Sequence, residues 1–167
     1  MTQPFTPPER VGLIGLGKMG APMARNLKRA GFEVALNDID MNLALALARE
    51  IDATAYERLP ELAQTCRVVI TMVPDGRIVR EVALGRAGAP ESGLVAGFAK
   101  GSVLIDMSSS APVGTKALGK ELVQRGIRML DAPVSGGVRW TIPAQLAIMI
   151  GGEPELIERC RQVFQAW

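Results

Sequence analysis

The sequence predicts an α/β domain with a doubly wound, mostly parallel sheet and helices on both faces. Short β-rich runs alternate along the chain with amphipathic helical patterns, an order that favours right-handed crossovers between parallel strands. Hydrophobic residues make up 48% of the 167 positions, which suits a sheet that is buried on both faces. A chain of this length forms one domain with a substantial core.

The element boundaries follow from apolar periodicity and from the residues that begin and end helices. Asp40 and Asp75 are predicted to cap helices, and Ser110 with Pro112 is predicted to open another. The predicted strands are 11–15, 33–37, 68–73, 102–106, 129–132 and 146–150. The predicted helices are 19–30, 41–51, 58–65, 75–84, 110–124 and 153–165, with a further short helix near 94–98.

The composition excludes several classes of protein. The chain contains no histidine, so a Ser-His-Asp triad and a histidine-ligated zinc site are excluded, and we expect no metal site. The net charge is +2 with scattered basic residues, which argues against a nucleic-acid partner. Cys66 and Cys160 form neither a CxxC motif nor a disulfide framework, which favours a reducing, cytoplasmic location. No apolar run is long enough to span a membrane, and the proline-rich residues 1–9 are interpreted as a flexible tail rather than a signal peptide.

The segment GLGKMG carries the clearest functional motif. Gly15, Gly17 and Gly20 form G-x-G-x-x-G between the first predicted strand and the first predicted helix. In a dinucleotide site these glycines permit a tight turn, the approach of a pyrophosphate and close packing of helix on strand, respectively. The helix N-terminus adds unpaired N–H groups for the phosphates. The motif alone is equally compatible with an ordinary glycine-rich turn, but its place in an alternating α/β chain favours a Rossmann-like dinucleotide site.

An acidic residue at the end of the second predicted strand favours NAD. Asp38 lies 23 positions after Gly15, close to the spacing of about 20 expected for a carboxylate that binds the adenosine ribose. Such a carboxylate repels a 2′-phosphate, and the next residues are Ile39 and Asp40 rather than an arginine. Asp40 fits the helix-cap position better, which leaves Asp38 for the ribose. We therefore predict NAD rather than NADP.

Five ordered segments resemble the β-hydroxyacid dehydrogenases. This family includes 3-hydroxyisobutyrate dehydrogenase and tartronate semialdehyde reductase and is related to 6-phosphogluconate dehydrogenase. The segments are GLIGLGKMGAPMARNL, VVITMVPD, KGSVLIDMSSSAP, DAPVSGGV and LAIMIGG, and they span about residues 11–165. The resemblance implies an NAD(P)-binding Rossmann domain over residues 10–167. It also implies hydride transfer between the dinucleotide and the hydroxyl carbon of a small 3-hydroxy acid.

The resemblance also implies which residues bind the cofactor. They are Gly15, Leu16, Gly17, Lys18, Met19, Gly20, Asp38, Val73, Pro74 and Ser109. Leu16, Lys18 and Met19 would line the pyrophosphate. For Lys18, a purely solvated loop lysine is the equally weighted alternative.

The turns after two later strands would contact the two ends of the cofactor. By resemblance, Val73 and Pro74 would lie on the adenosine or ribose side, and Ser109 would lie near the nicotinamide ribose. The serines of the MSSS run could instead simply cap the following helix. We assign capping to Ser110 and ligand contact to Ser109.

The segment DAPVSGGV matches the substrate loop of the family. Ser135, Gly136 and Gly137 would hold the substrate carboxylate through a hydroxyl and exposed backbone N–H groups. Residues 139–145, RWTIPAQ, depart from the small residues that relatives carry here. This departure leaves the path of the loop and the fit of the substrate open.

The second departure concerns catalysis. In the family, a lysine in a Gly-rich segment beyond the cofactor domain transfers the proton, and an all-helical domain follows. The 167 residues end before such a segment, so we assign no catalytic residue, expect the chain alone to be inactive, and expect a homo-oligomer only in the full-length form. A non-catalytic dinucleotide-binding module or partner-dependent subunit remains the alternative. A methyltransferase-type fold ranks last, because it leaves DAPVSGG without a role.

Overall fold

A six-stranded parallel sheet forms the centre of the domain, which confirms the predicted fold class. The computed structural model describes residues 3–167. The sheet strands are β1 (Arg10–Ile14), β2 (Glu33–Asn37), β3 (Thr54–Ala55), β4 (Val68–Thr71), β5 (Val103–Asp106) and β6 (Arg128–Asp131). Their order across the sheet is β3-β2-β1-β4-β5-β6. All five pairings are parallel.

Helices cover both faces of this sheet. They are α1 (Gly20–Arg29), α2 (Met41–Ile51), α3 (Leu59–Thr65), α4 (Gly76–Leu84), α5 (Pro112–Gln124), α6 (Val138–Thr141), α7 (Pro154–Arg159) and α8 (Arg161–Phe164), with 3₁₀ turns at Pro90–Ser92 and Leu94–Ala96. Asp40 and Asp75 cap α2 and α4 as predicted, because their carboxylates accept backbone N–H groups of the first helical turn. Between residues 3 and 167, no helix has the length and apolarity needed to cross a bilayer.

The core lies in two layers, one on each face of the sheet. Successive strand residues alternate between the layers, so Val68 and Ile70 pack into one and Val69 into the other. The first layer receives the apolar faces of α1, α2, α7 and α8. The second receives those of α3, α4 and α5. This two-sided burial explains the apolar strand sequences.

The prediction of a flexible N-terminal tail is wrong where the structure describes it. Phe5 is fully buried, and its N–H donates to the Arg159 carbonyl at 2.9 Å. Its ring also packs against the guanidinium groups of Arg67 and Arg159, at 5.1 and 4.7 Å from the ring centroid. The polar and proline-rich neighbours of Phe5 give no local pattern that predicts its burial. Residues 1 and 2 of the predicted tail lie outside the described residues.

The C-terminal part also differs from its prediction. The predicted strand 146–150 forms β8 (Ala147–Ile148), which pairs with β7 (Val134–Ser135) in a separate antiparallel sheet. β7 begins only three positions after β6 ends, which is too short for the crossover that a parallel neighbour needs. The predicted helix 153–165 is interrupted at Cys160 and forms α7 and α8.

Replacing Phe5 with Ala should lower the free energy of unfolding by about 3–5 kcal/mol, because a fully buried aromatic ring leaves a cavity. Urea unfolding followed by far-UV circular dichroism measures the change. Val113→Ala is the control, since that side chain is 83% exposed and should change stability by no more than about 0.5 kcal/mol. A Phe5→Ala midpoint equal to that of the wild type would contradict the anchoring of this segment.

Candidate dinucleotide-binding site

The predicted cofactor residues meet at the carboxyl edge of the six-stranded sheet. They lie in the loops after β1, β2, β4 and β5, with Gly20 opening α1. Backbone hydrogen bonds extend the sheet into these loops: Gly15 N–H donates to the Asn37 carbonyl at 3.0 Å, and Met72 N–H donates to the Ile14 carbonyl at 2.9 Å. The loops are therefore held side by side at the edge where open α/β sheets bind ligands.

Two of the three loop glycines are required by the packing of the chain itself. Gly15 has a φ of +91°, and a Cβ there would overlap the carbonyl oxygen of Met72. A Cβ on Gly20 would lie 2.8 Å from the Gly15 carbonyl carbon and would overlap its oxygen. Only glycine allows the first turn of α1 to sit this close to the end of β1.

Gly17 is different because nothing in the described chain requires a glycine there. A Cβ added to Gly17 would meet no atom within 4 Å, and its φ lies outside the region that favours glycine. The residue is also exposed. The space beside its backbone is therefore open to solvent, which fits a loop that must approach a bound pyrophosphate.

Unpaired N–H groups face this open space at the start of α1. In the described range, the backbone N–H groups of Gly17, Lys18 and Met19 have no hydrogen-bond acceptor. The first turn of α1 carries no acidic residue that would compete with an anion. Together with the partial positive charge of the helix N-terminus, these groups form an environment that suits phosphate. The side chain of Lys18 is exposed beside them.

Asp38 binds the glycine loop directly, a contact that sequence reasoning missed. Its Oδ2 accepts the Leu16 N–H at 2.6 Å, and its Oδ1 accepts the Asp40 N–H at 2.8 Å. Each oxygen keeps a further lone pair for a ribose hydroxyl. Leu16 as a whole is only 1% exposed, and its backbone N–H is occupied by Asp38. The order of β1 and β2 in the sheet, rather than any local pattern, brings these residues together.

A buried serine joins the loops that follow β4 and β5. The hydroxyl of Ser108 accepts the Val73 N–H at 3.0 Å, and the Ser108 N–H donates to Asp106 Oδ1 at 3.0 Å. Pro74 and Ser109 are exposed next to this junction. The predicted adenosine-side and nicotinamide-side residues are therefore held on two loops that are linked to each other.

Asp106 organises this junction, and sequence reasoning did not find it. Its carboxylate is fully buried and also accepts the hydroxyls of Thr71 at 3.0 Å and Ser110 at 2.6 Å. The predicted cap role of Ser110 is wrong, because the hydroxyl is used here and Ala111 occupies the cap position of α5. Asp131 lies beside Asp106 in the sheet register. Burial, and then the charge of Asp106, raise the pKa of the Asp131 carboxyl.

The predicted substrate loop begins at the last residue of β7, which is not a strand of the parallel sheet. Ser135 is exposed and pairs with Ala147, and Gly136 and Gly137 have φ values of +126° and +65°. Within residues 3–167, the N–H groups of these two glycines have no acceptor. The loop thus presents a hydroxyl and two free amides, which is a donor set that suits a carboxylate.

The bulky residues after the substrate loop form α6 and pack against the loop. A Cβ on Gly136 would lie 2.9 Å from the Cβ of Trp140 and 3.1 Å from its Cδ1, so the indole lies directly over this glycine. The guanidinium of Arg139 in turn stacks on the indole, 5.0 Å from its centroid. Of the unusual residues 139–145, Trp140 with Arg139 stacked on it therefore forms one wall of the loop.

The family comparison agrees with this geometry. The model for the NAD binding domain of 6-phosphogluconate dehydrogenase matches residues 10–167. The chain belongs to this family. One relative of this NAD-binding domain, the 2-hydroxy-3-oxopropionate reductase of Escherichia coli (strain K12), is 35% identical over 156 residues, which cover 93% of this chain and 51% of the relative. The chain spans about half the length of the curated relatives it matches.

Solved structures give the same result for the NAD-binding domain. A 3-hydroxyisobutyrate dehydrogenase of Mycobacterium tuberculosis with L-serine superposes with a TM-score of 0.84 at 32% identity, covering 95% of this chain and 51% of that one. Psf3 in complex with NADP+ and 2-OPP gives 0.85 at 28% identity, covering 93% and 53%. The resemblance to β-hydroxyacid dehydrogenases is thereby confirmed. The family binds NAD(P), and it does not by itself distinguish the two cofactors.

Replacing Gly17 with Ala should leave folding unchanged and weaken NAD binding by about tenfold or more, because the new methyl group fills the space that the phosphates need. Gly20→Ala should instead destabilise the fold, because its Cβ overlaps the Gly15 carbonyl. Calorimetric titration and urea unfolding separate the two effects.

Gly114→Ala is the matched control for both variants, since a Cβ at this exposed position of α5 also meets nothing within 4 Å. It should retain NAD affinity, and its stability should stay equal to that of the wild type or rise by up to about 1 kcal/mol, because Ala favours a helix more than Gly does. An unchanged NAD affinity of Gly17→Ala would show that the phosphates do not lie against this loop.

Proposed function

We propose that this chain is the dinucleotide-binding half of a β-hydroxyacid dehydrogenase that transfers a hydride between NAD and the hydroxyl carbon of a small 3-hydroxy acid. The observation that carries the proposal is the open, amide-lined space at Gly17, bounded by the carboxylate of Asp38. The relatives named for 2-hydroxy-3-oxopropionate and 3-hydroxyisobutyrate support a small hydroxy acid as substrate. Both names refer to short carboxylic acids, and the donor groups of the substrate loop suit a carboxylate.

The amides at the start of α1 would bind the diphosphate of the dinucleotide. The N–H groups of Gly17, Lys18 and Met19 donate no hydrogen bond to any other described residue, so they are free to donate to phosphate oxygens. Val73 and Pro74 would contact the adenosine side. The bound dinucleotide supplies the hydride chemistry, and the protein contributes binding and orientation.

The NAD preference rests on how firmly Asp38 is held. Because its carboxylate accepts the N–H groups of Leu16 and Asp40, it is fixed against the glycine loop. A 2′-phosphate at the ribose would meet this fixed negative charge. The neighbouring Ile39 is 95% exposed and offers no compensating cation. We therefore propose NAD as the preferred cofactor.

The substrate carboxylate would bind at the loop of Ser135, Gly136 and Gly137. The free amides of both glycines and the exposed serine hydroxyl can donate to the two carboxylate oxygens. Ser109, exposed beyond the Asp106 junction, would orient the nicotinamide ribose.

We assign the proton-transferring lysine to a segment outside these 167 residues, in the helical domain of the family. We propose the homo-oligomer for that full-length form.

The chain alone should bind NAD weakly and convert 3-hydroxy acids slowly or not at all, because no proton-transferring residue is assigned within it. Calorimetric titration with NAD and NADP, together with an assay of NADH formation on 3-hydroxyisobutyrate, tests both parts. Robust turnover would contradict the assignment of proton transfer to another segment. A failure to bind either dinucleotide would contradict the site itself.

Replacing Asp38 with Ala should weaken NAD binding by about tenfold, which corresponds to about 1.4 kcal/mol, the scale of a hydrogen bond to a charged group. NADP binding should fall less, because a repulsive charge is removed at the same time. The preference for NAD should therefore narrow. Glu155→Ala removes an exposed carboxylate from α7 and serves as the control. An unchanged ratio of the two affinities would exclude Asp38 as the ribose-binding group.

A further inference from the structure

A buried hydrogen bond joins α1 to the segment after the substrate loop, and the proposed chemistry does not account for it. The side-chain Nδ2 of Asn26 donates to the Thr141 carbonyl at 2.7 Å, across 115 positions of sequence. Asn26 is 2% exposed and lies on the same buried face of α1 as Met23 and Leu27. Burying a side-chain amide at such a position costs free energy unless the amide is hydrogen-bonded. The bond to Thr141 therefore compensates for the burial of Asn26.

The same face of α1 makes a second contact with this segment. Arg29 donates from one guanidinium nitrogen to the Ile142 carbonyl at 3.2 Å and to the side-chain oxygen of Asn26. Both ends of the Asn26 amide are therefore satisfied. Two consecutive carbonyls, those of Thr141 and Ile142, are bound by side chains from one turn of α1.

Thr141 carries the connection onward to the substrate loop. Its side chain is fully buried, and its hydroxyl donates to the Gly137 carbonyl at 2.9 Å. The same hydroxyl lies 3.4 Å from the sulfur of Met19, in the glycine loop. A continuous set of contacts thus runs from α1 through Thr141 to the glycine that is proposed to bind the substrate carboxylate.

The other restraints on the substrate loop are the packing of Val134, Leu146 and Ile148 on the core and contacts within its own segment. β7 and β8 pair over only two residues each, and the amides of Gly136 and Gly137 are free. A two-stranded ladder of this length is marginal without further packing. The contacts of Asn26, Arg29 and Met19 are the hydrogen bonds that join this segment directly to α1 and the glycine loop.

We propose that Asn26 is a positioning residue that ties the Ser135–Gly137 loop to the helix of the glycine loop and so fixes the bound acid relative to the dinucleotide. This inference rests on the proposed function, which places the acid at that loop. A fixed spacing between two bound reactants is the contribution that hydride transfer requires of the protein.

Hydrogen exchange measured by mass spectrometry on the 167-residue chain without ligand tests the connection directly. In Asn26→Ala, the hydrogen-bonded amides within residues 134–146 should exchange about tenfold faster than in the wild type, because one buried hydrogen bond no longer resists local opening. Thr141→Val should raise exchange in the same segment by a smaller factor, since only the hydroxyl contacts with Gly137 and Met19 are lost and the Thr141 carbonyl keeps its bond to Asn26. Unchanged exchange of this segment in both variants would overturn the proposal.

Two controls separate a local tether from general destabilisation. Asn42→Ala makes the same substitution at an exposed position of α2 and should leave exchange unchanged. Leu118→Ala truncates a side chain that is buried against the opposite face of the sheet, so it should lower global stability without selectively accelerating residues 134–146. Equal acceleration of the segment in Leu118→Ala would mean that Asn26 acts only through overall stability.

A binding comparison distinguishes positioning from cofactor binding. In Asn26→Ala, NAD affinity should stay within about twofold of the wild type, because the amides of the glycine loop are unchanged. Affinity for 3-hydroxypropanoate in the presence of NAD should fall about tenfold, because the substrate loop is no longer held in place. Equal affinities for the acid in the two proteins would contradict the positioning role. If NAD binds neither protein, the proposed function fails, whereas the exchange measurement still decides whether Asn26 restrains the loop.

Discussion

The close approach of α1 to the end of β1 is the constraint on which the rest of the site depends. The backbone of Gly20 lies so near the Gly15 carbonyl that a methyl group would overlap it. Because the helix begins at this point, its first N–H groups open directly onto the carboxyl edge of the sheet. The same placement brings Asn26, two turns further along, under the segment that follows the substrate loop.

Buried or half-buried carboxylates hold the loops that surround this edge. Asp38 accepts the Leu16 N–H and so joins the loops after β1 and β2. Asp106 accepts the Thr71 hydroxyl and the Ser108 N–H and so joins the end of β4 to the loop after β5. A carboxylate accepts several hydrogen bonds at once, and each is stronger than a bond between neutral groups. These two residues therefore organise the polar side of loops whose Leu16 and Met107 pack into the core.

The main chemistry of the site could be predicted from sequence because it follows short-range rules. The glycine spacing, the acid after the second strand and the caps at Asp40 and Asp75 are local patterns with a direct structural meaning. The serine run shows the limit of such rules. A serine before a helix predicts a cap, but the Ser110 hydroxyl instead donates to Asp106. The buried Asp106 carboxylate needs hydrogen-bond donors from the protein, whereas the N–H groups at the exposed start of α5 can bond to water.

The sequence by itself determined the alternation of strands and helices, the two-sided core and the position of the glycine loop, since each depends on neighbours a few residues apart. Only the tertiary structure decided that Phe5 is an anchor, that residues 147–148 leave the parallel sheet, and that Asn26 contacts Thr141. These outcomes depend on groups separated by tens of residues or more than a hundred. No local pattern encodes which of them meet, because the meeting is set by how the layers pack on the sheet.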